Sequence, residues 1–164
     1  MTIISSLSRI VLTLFIGVCL TAPTAVHSAP ALSWLVLVVD RSGSISDDEL
    51  RLQRDAYVEI LRDPAMATTF RNTRVAVVEF DNSAELAVGW SSAAAAADQY
   101  AAFAPVAPRG GTAIWRGLNL ALDLLRGKTG ERIIDVSGDG RDNRDQIMLE
   151  RARNNARRAD IEIN

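Results

Sequence analysis

The chain has 164 residues, of which 48% are hydrophobic and 23% charged, with a formal net charge of -2. That balance describes one globular domain with enough apolar material for a core, and it excludes a disordered chain. The slight acidic excess argues against nucleic acid as a partner, because phosphate binding needs a clear cationic surplus.

Residues 1–29 stand apart. A short stretch whose only charge is Arg9 precedes an apolar core over residues 10–20, followed by small and polar residues with prolines. This is the layout of a secretory signal peptide, with an apolar core too short to span a bilayer comfortably. Cleavage after Ser28, Ala29 or Ala31 fits the pattern; an uncleaved amino-terminal membrane anchor is the competing reading. A lipoprotein form would use Cys19, but Val18 stands where a small residue is expected. The expected mature domain, residues 30–164, is secreted or periplasmic and has no membrane span. Its separation removes Cys19 and His27, the only cysteine and the only histidine. What remains forms no disulfide, offers no nitrogen and sulfur ligands for zinc, and has no Cys–His or Ser–His pair for nucleophilic catalysis. Any site must be built from carboxylates, hydroxyls, amides and arginines.

The first predicted element is an apolar run over residues 34–39, which reads as a strand buried on both faces. It ends in Asp40-Arg41-Ser42-Gly43-Ser44, placing one carboxylate and two hydroxyls on alternate residues at the carboxyl end of the strand. That edge of an open α/β sheet is where ligands bind. The same residues are also what turn and capping chemistry selects. A helix follows. Ser46 and Glu49 make a capping box, Asp47 and Asp48 add negative charge to its first turn, and Leu50, Tyr57, Ile60 and Leu61 recur at helical spacing before Asp63-Pro64 stops it. Residues 64–71 read as a loop with a short helical turn.

Residues 74–80 form a second predicted strand, Asp81-Asn82-Ser83 a turn, and residues 84–90 a third strand. So short a link permits only antiparallel pairing, a hairpin at a sheet edge. Residues 91–103 are alanine-rich and read as a helix capped by Ser91 or Ser92. After a loop over residues 105–111, Thr112 is expected to open a helix with Ile114, Leu118, Ala121 and Leu125 on one face, ended by Gly127. Residues 132–137 are a strand and Gly138-Asp139-Gly140 a turn. Residues 142–159 read as helical, with Met148, Ala152, Ala156 and Ala159 inward. The arginines here, Arg144, Arg151, Arg153, Arg157 and Arg158, read as a solvated face laced with acids. A last strand starts at residues 161–163. Strands alternating with helices imply a mostly parallel α/β sheet covered on both faces.

Three loop ends therefore carry oxygen ligands: Asp40, Ser42 and Ser44 in the first, Thr112 beside Gly110 and Gly111 in the second, and Asp139 between glycines in the third. Oxygen donors of this kind suit a hard cation, Mg²⁺, Mn²⁺ or Ca²⁺, with water or an outside ligand filling the remaining positions. The combination resembles the von Willebrand factor type A domain and its metal-ion-dependent adhesion site, whose pattern of Asp-x-Ser-x-Ser with a separate Thr and a separate Asp is met by Asp40, Ser42, Ser44, Thr112 and Asp139. The likeness runs over residues 32–164. More narrowly, Asp40-Arg41-Ser42-Gly43-Ser44, Leu52-Gln53-Arg54-Asp55, Gly110-Gly111-Thr112-Ala113-Ile114 and the stretch from Arg132 to Gly140 resemble a bacterial secreted subgroup known only as a domain of unknown function.

The resemblance implies a Rossmann-like sheet with one antiparallel edge strand, and further strand and helix beyond the last residues of this chain. It also implies that Ser42, Ser44 and Thr112 bind metal directly while Asp40 and Asp139 act through water or hydrogen bonds. A protein partner supplying an Asp or Glu carboxylate would complete the shell, making the domain a cation-dependent binding module and not an enzyme. Arg109, Trp115, Arg141, Asp142 and Asn143 are expected to flank the site. Two rivals stand beside this reading. One is a Mg²⁺-dependent phosphate ester hydrolase, for which Asp139, Asp142 or Glu79 would have to be the base; no phosphate-cradling loop with Lys and no nucleophile elbow is present. The other is a structural or vestigial domain without metal. Asp135, set in an apolar strand, shows that carboxylates are placed here for other reasons too.

Overall fold

The central strand, β1 (Ser33–Asp40), alternates its side chains between two covered faces, and the rest of the molecule follows from that. A computed structural model describes residues 32–104, 110–138, 142 and 144–164. The predicted leader lies outside the described residues. The remaining elements are α1 (Asp47–Arg62), a 3₁₀ turn (Pro64–Met66), α2 (Ala67–Phe70), β2 (Thr73–Phe80), β3 (Ala84–Ser91), α3 (Ala93–Ala102), α4 (Ile114–Leu125), β4 (Glu131–Ser137), α5 (Gln146–Arg158) and β5 (Glu162–Ile163). The five strands form one sheet in the order β3-β2-β1-β4-β5. β1 runs parallel to β2 and β4, and β4 parallel to β5; β3 is the antiparallel edge strand, paired to β2 with register shifts between Val75 and Val78.

On one face Val36 and Val38 pack with Leu118, Ala121 and Leu125 of α4 and with Leu149, Ala152 and Ala156 of α5. On the other, Leu37 and Val39 pack with Val58 and Leu61 of α1 and with Ala93, Ala96, Ala97 and Tyr100 of α3. Each fully buried Val or Leu contributes about 1.5–3 kcal/mol, so these two layers hold the sheet. The alanine run has a packing reason: buried Ala93, Ala96 and Ala97 let α3 lie close on the sheet. Gly117 does the same for α4, since a Cβ there would stand 2.7 Å from Val38 Cγ1 and 3.0 Å from Phe80 Cδ1.

The differences from expectation lie at helix starts and in helix phase. Thr112 does not open α4; the helix begins at Ile114 after Ala113, which makes no side-chain cap. Thr112 is left to the loop. The last helix begins at Gln146, capped by Asp145, four residues later than its pattern implied. In α1 Val58 is buried and Ile60 is 49% exposed, while in α5 Leu149 takes the inward place given to Met148, and Ala159 is exposed. In both helices a buried aliphatic one or two positions away satisfies nearly the same periodicity, and only contact with the sheet fixes the phase. The arginines of α5 are exposed, with Arg157 2.8 Å from Glu150. Among the described residues no helix is long and apolar enough to cross a membrane.

Candidate metal centre

β1 delivers Asp40 to the carboxyl end of the sheet, where it is buried. Its Oδ1 accepts the Ser42 N–H at 2.7 Å, turning the chain so that the Ser42 and Ser44 hydroxyls stand 3.0 Å apart. Ser42 is buried and Ser44 exposed, so the pair faces outward from a fixed base. Ile45 is buried beneath the loop, and Ser46 then caps α1. The intervening Arg41 points the opposite way: its side chain is 1% exposed and pairs with Glu85, lying 3.8 Å from Asp81. Its charge is thereby directed into the protein and away from the hydroxyls.

The second loop meets the first directly. Gly43 N–H donates to the Gly110 carbonyl at 2.7 Å, two residues before Thr112, which is buried. The third loop begins with Gly138, where a Cβ would stand 2.8 Å from both Cβ and Oδ2 of Asp40, so only glycine lets β4 end against that carboxylate. Asp139, the remaining predicted ligand, lies outside the described residues, as do Arg109, Arg141 and Asn143. Asp40, Ser42, Ser44 and the Thr112 loop are thus brought together at one end of the sheet.

The donor set fits a hard cation. Among the described residues no group of three or more His, Cys, Asp or Glu is assembled. What converges is hydroxyl-rich with one described carboxylate, a set for an oxygen-coordinated ion that retains water or takes an outside ligand. Neutral hydroxyl ligands leave such an ion more of its charge than a cage of carboxylates would.

Other polar groups around the centre have structural work. Asp142 is buried; its Oδ1 accepts the Arg144 and Asp145 N–H groups at 2.9 Å each, and its Oδ2 accepts the Trp115 N–H at 3.2 Å. It supplies from outside the cap that Ala113 does not give α4. Glu79 is fully buried between Arg54, bound at 2.8 Å through both oxygens, and the Tyr100 hydroxyl at 2.9 Å. Burial lowers the Arg54 pKa, but hydrogen bonding and attraction to Glu79 outweigh it and the net shift is upward. Asp135 accepts from the Tyr57 hydroxyl at 2.9 Å. Glu79 and Asp142, named as possible bases, are therefore engaged in holding elements together. Trp115 packs against the α4–α5 side of the core, with Arg116 4.4 Å above its ring. The sequence reading names Gln53 only within a stretch of family resemblance and gives it no role; its Nε2 donates to Ser137 Oγ at 2.7 Å and ties α1 to the end of β4. The same reading passes over the Asp81-Asn82 pair, read only as a turn, although Asx residues beside a strand end are the usual sign of backbone-holding side chains.

A mostly parallel sheet of this order, with one antiparallel edge, helices on both faces and the serine loop at its carboxyl end, defines a von Willebrand factor type A fold. The chain belongs to the family described as "Protein of unknown function (DUF1194)", whose model matches residues 32–164. Similar solved structures include proximal thread matrix protein 1 from the mussel byssus with a zinc-occupied MIDAS motif, at TM-score 0.66 and 23% identity over 81% of this chain and 35% of that one. The hypothetical protein BatB from Bacteroides thetaiotaomicron matches at TM-score 0.66 and 20% identity over 80% of this chain and 64% of that one. The vWF domain of the type V pili tip protein Mfa5 from Porphyromonas gingivalis matches at TM-score 0.52 and 22% identity over 69% and 39%. The chain thus spans about a third of the mussel protein and under two thirds of BatB. No curated protein sequence matches it.

Proposed function

We propose that this protein is a divalent-cation-dependent, adhesion-type protein-binding module, exported by a signal peptide over residues 1–29 and acting through the domain over residues 30–164. Ser42, Ser44 and Thr112 are assigned as direct oxygen ligands of Mg²⁺, with Mn²⁺ or Ca²⁺ as alternatives. Asp40 and Asp139 act through water or hydrogen bonds. The observation that carries the reading is the 2.7 Å bond from Gly43 N–H to the Gly110 carbonyl, which joins the paired serines to the Thr112 loop. When bound, the cation supplies an electrophilic centre with a position open to a carboxylate. Asp40, with Oδ1 bonded to Ser42 N–H, holds the serine loop in shape and contributes negative charge at a distance. The partner accordingly brings an Asp or Glu to this end of the sheet. The mussel and pilus neighbours, as matrix and pili tip proteins, support an adhesive role over an enzymatic one.

Thermal unfolding with added Mg²⁺, Mn²⁺, Ca²⁺ or Zn²⁺ tests this. An ion bound only by the folded state stabilises it by about 2.7 kcal/mol at one hundred times its Kd. The wild type is expected to gain stability with at least one ion and to lose it in chelator, while Asp40→Ala and Ser42→Ala remain folded and show no gain. A wild type indifferent to all four ions at millimolar concentration overturns the reading.

A further inference from the structure

Three backbone N–H groups around Thr112 are held from the β2–β3 turn. Gly110 N–H donates to Asp81 Oδ2 at 3.2 Å, Gly111 N–H to Asn82 Oδ1 at 2.9 Å, and Ala113 N–H to the Asp81 carbonyl at 2.8 Å. Every residue neighbouring Thr112 in that stretch is therefore fastened to two consecutive residues of the hairpin. Asp81 is only 3% exposed, and its Oδ1 is fixed by the Ser83 N–H at 2.7 Å and the Ser83 hydroxyl at 2.8 Å.

The same aspartate reaches the serine loop. Arg41, between Asp40 and Ser42, donates its N–H to the Phe80 carbonyl at 2.9 Å and holds its guanidinium 3.8 Å from Asp81 Oδ2. Asp81 thus links the Thr112 loop by hydrogen bonds to the serine loop by charge. A simple turn would need only the Ser83 contacts. Burying a carboxylate to capture a second loop is costly unless it is fully paired, and here Arg41 and the N–H groups pair it.

We infer that Asp81 and Asn82 are positioning residues of the metal centre: they set where the Thr112 hydroxyl stands relative to Ser42 and Ser44, and so set cation affinity without touching the cation. The inference rests on the metal-binding reading above. Asp81 is given no ligand role: its Oδ1 is turned to Ser83 and its Oδ2 to Gly110 N–H and Arg41. Its effect comes through the backbone of residues 110–113, which without it must pay its own ordering cost on each binding event. Removing side chains that orient metal ligands weakens affinity by roughly 10–100-fold.

The test is Mn²⁺ titration calorimetry on the full chain, with amide hydrogen exchange at Gly110, Gly111 and Ala113 followed in chelator. Asp81→Asn and Asn82→Ala are expected to bind Mn²⁺ roughly 10–100-fold more weakly and to exchange those amides faster. Asn82→Asp keeps the acceptor for Gly111 and restores affinity. Leu61→Ala, a core change on the far face of the sheet, binds Mn²⁺ as the wild type does at a temperature where all variants are folded. If Asp81→Asn does not fold, Asn82→Ala and its rescue by Asp carry the test. Wild-type affinity in both loosened variants, or an equal loss in Leu61→Ala, overturns the inference while leaving the metal centre standing. A wild type that takes up no Mn²⁺ overturns both.

Discussion

Glu79 shows how much a single side chain decides here. It is the penultimate residue of β2, fully buried, with both oxygens on Arg54 and one shared with the Tyr100 hydroxyl. The Arg54 guanidinium in turn lies 5.7 Å from the Tyr100 ring centre and 5.6 Å from that of Phe103. α1, β2 and α3 are joined through this one carboxylate. Removing one partner of a buried pair costs about 3–5 kcal/mol because the other charge is left unpaired. Arg54 retains some exposure, 17% of its side chain, so Glu79→Ala is expected near the low end, ~3 kcal/mol by urea unfolding. A loss under about 1 kcal/mol, as for a surface pair, would show that the contact carries no such weight.

Among the elements, α1 is the one most fully specified by its own residues. Ser46 Oγ accepts the Glu49 N–H at 3.2 Å, and Glu49 Oε2 accepts the Ser46 N–H at 2.8 Å and its hydroxyl at 2.7 Å. The side-chain and backbone bonds from Ser46 lower the Glu49 pKa. A depressed folded pKa contributes stability above the unfolded value, which is lost as pH falls through the folded one. Ser46→Ala is expected to cost about 1 kcal/mol near neutral pH, and less once Glu49 is protonated. Equal costs at pH 7 and at a pH below the Glu49 titration would refute the reciprocal cap. α4 contrasts with α1, since its first turn is capped by Asp142 from a loop 27 residues away. For that reason the sequence pattern points to Thr112 as its start, two residues before Ile114, while the start of α1 is legible from four residues.

At the scale of the whole molecule, both tyrosines of the chain dock helices onto the same face of the sheet, Tyr57 from α1 and Tyr100 from α3. Burial, then the Asp135 carboxylate, pushes Tyr57 up to about 12 against the lowering effect of Ser137; burial, then Glu79, pushes Tyr100 up as well. Both groups favour the neutral form in the fold, so their contribution is complete below the unfolded pKa of about 10 and drains away as pH rises toward the folded values. Tyrosinate absorbance in the native protein is expected to lag that of the denatured chain by about two pH units for Tyr57 and by more for Tyr100, with unfolding stability falling above pH ~10. A native chain that ionises both tyrosines near pH 10 while remaining folded would contradict the docking.

The sequence by itself determined what depends on neighbours in the chain: the short apolar runs that become β1, β2 and β4, the Ser46–Glu49 cap, the hairpin forced by a three-residue link, and the serine loop at the end of β1. These are short-range effects of sterics and hydrogen bonding, so they survive without knowledge of the fold. Only the tertiary structure decided the phase of α1 and α5, the seat of Thr112 in a loop against Gly43, and the fate of the internal charges. Arg41, Glu79, Asp81 and Asp142 look alike in the chain to surface residues; each is buried because its partner arrives from a distant segment, and a charge leaves water only where such a partner is already in place.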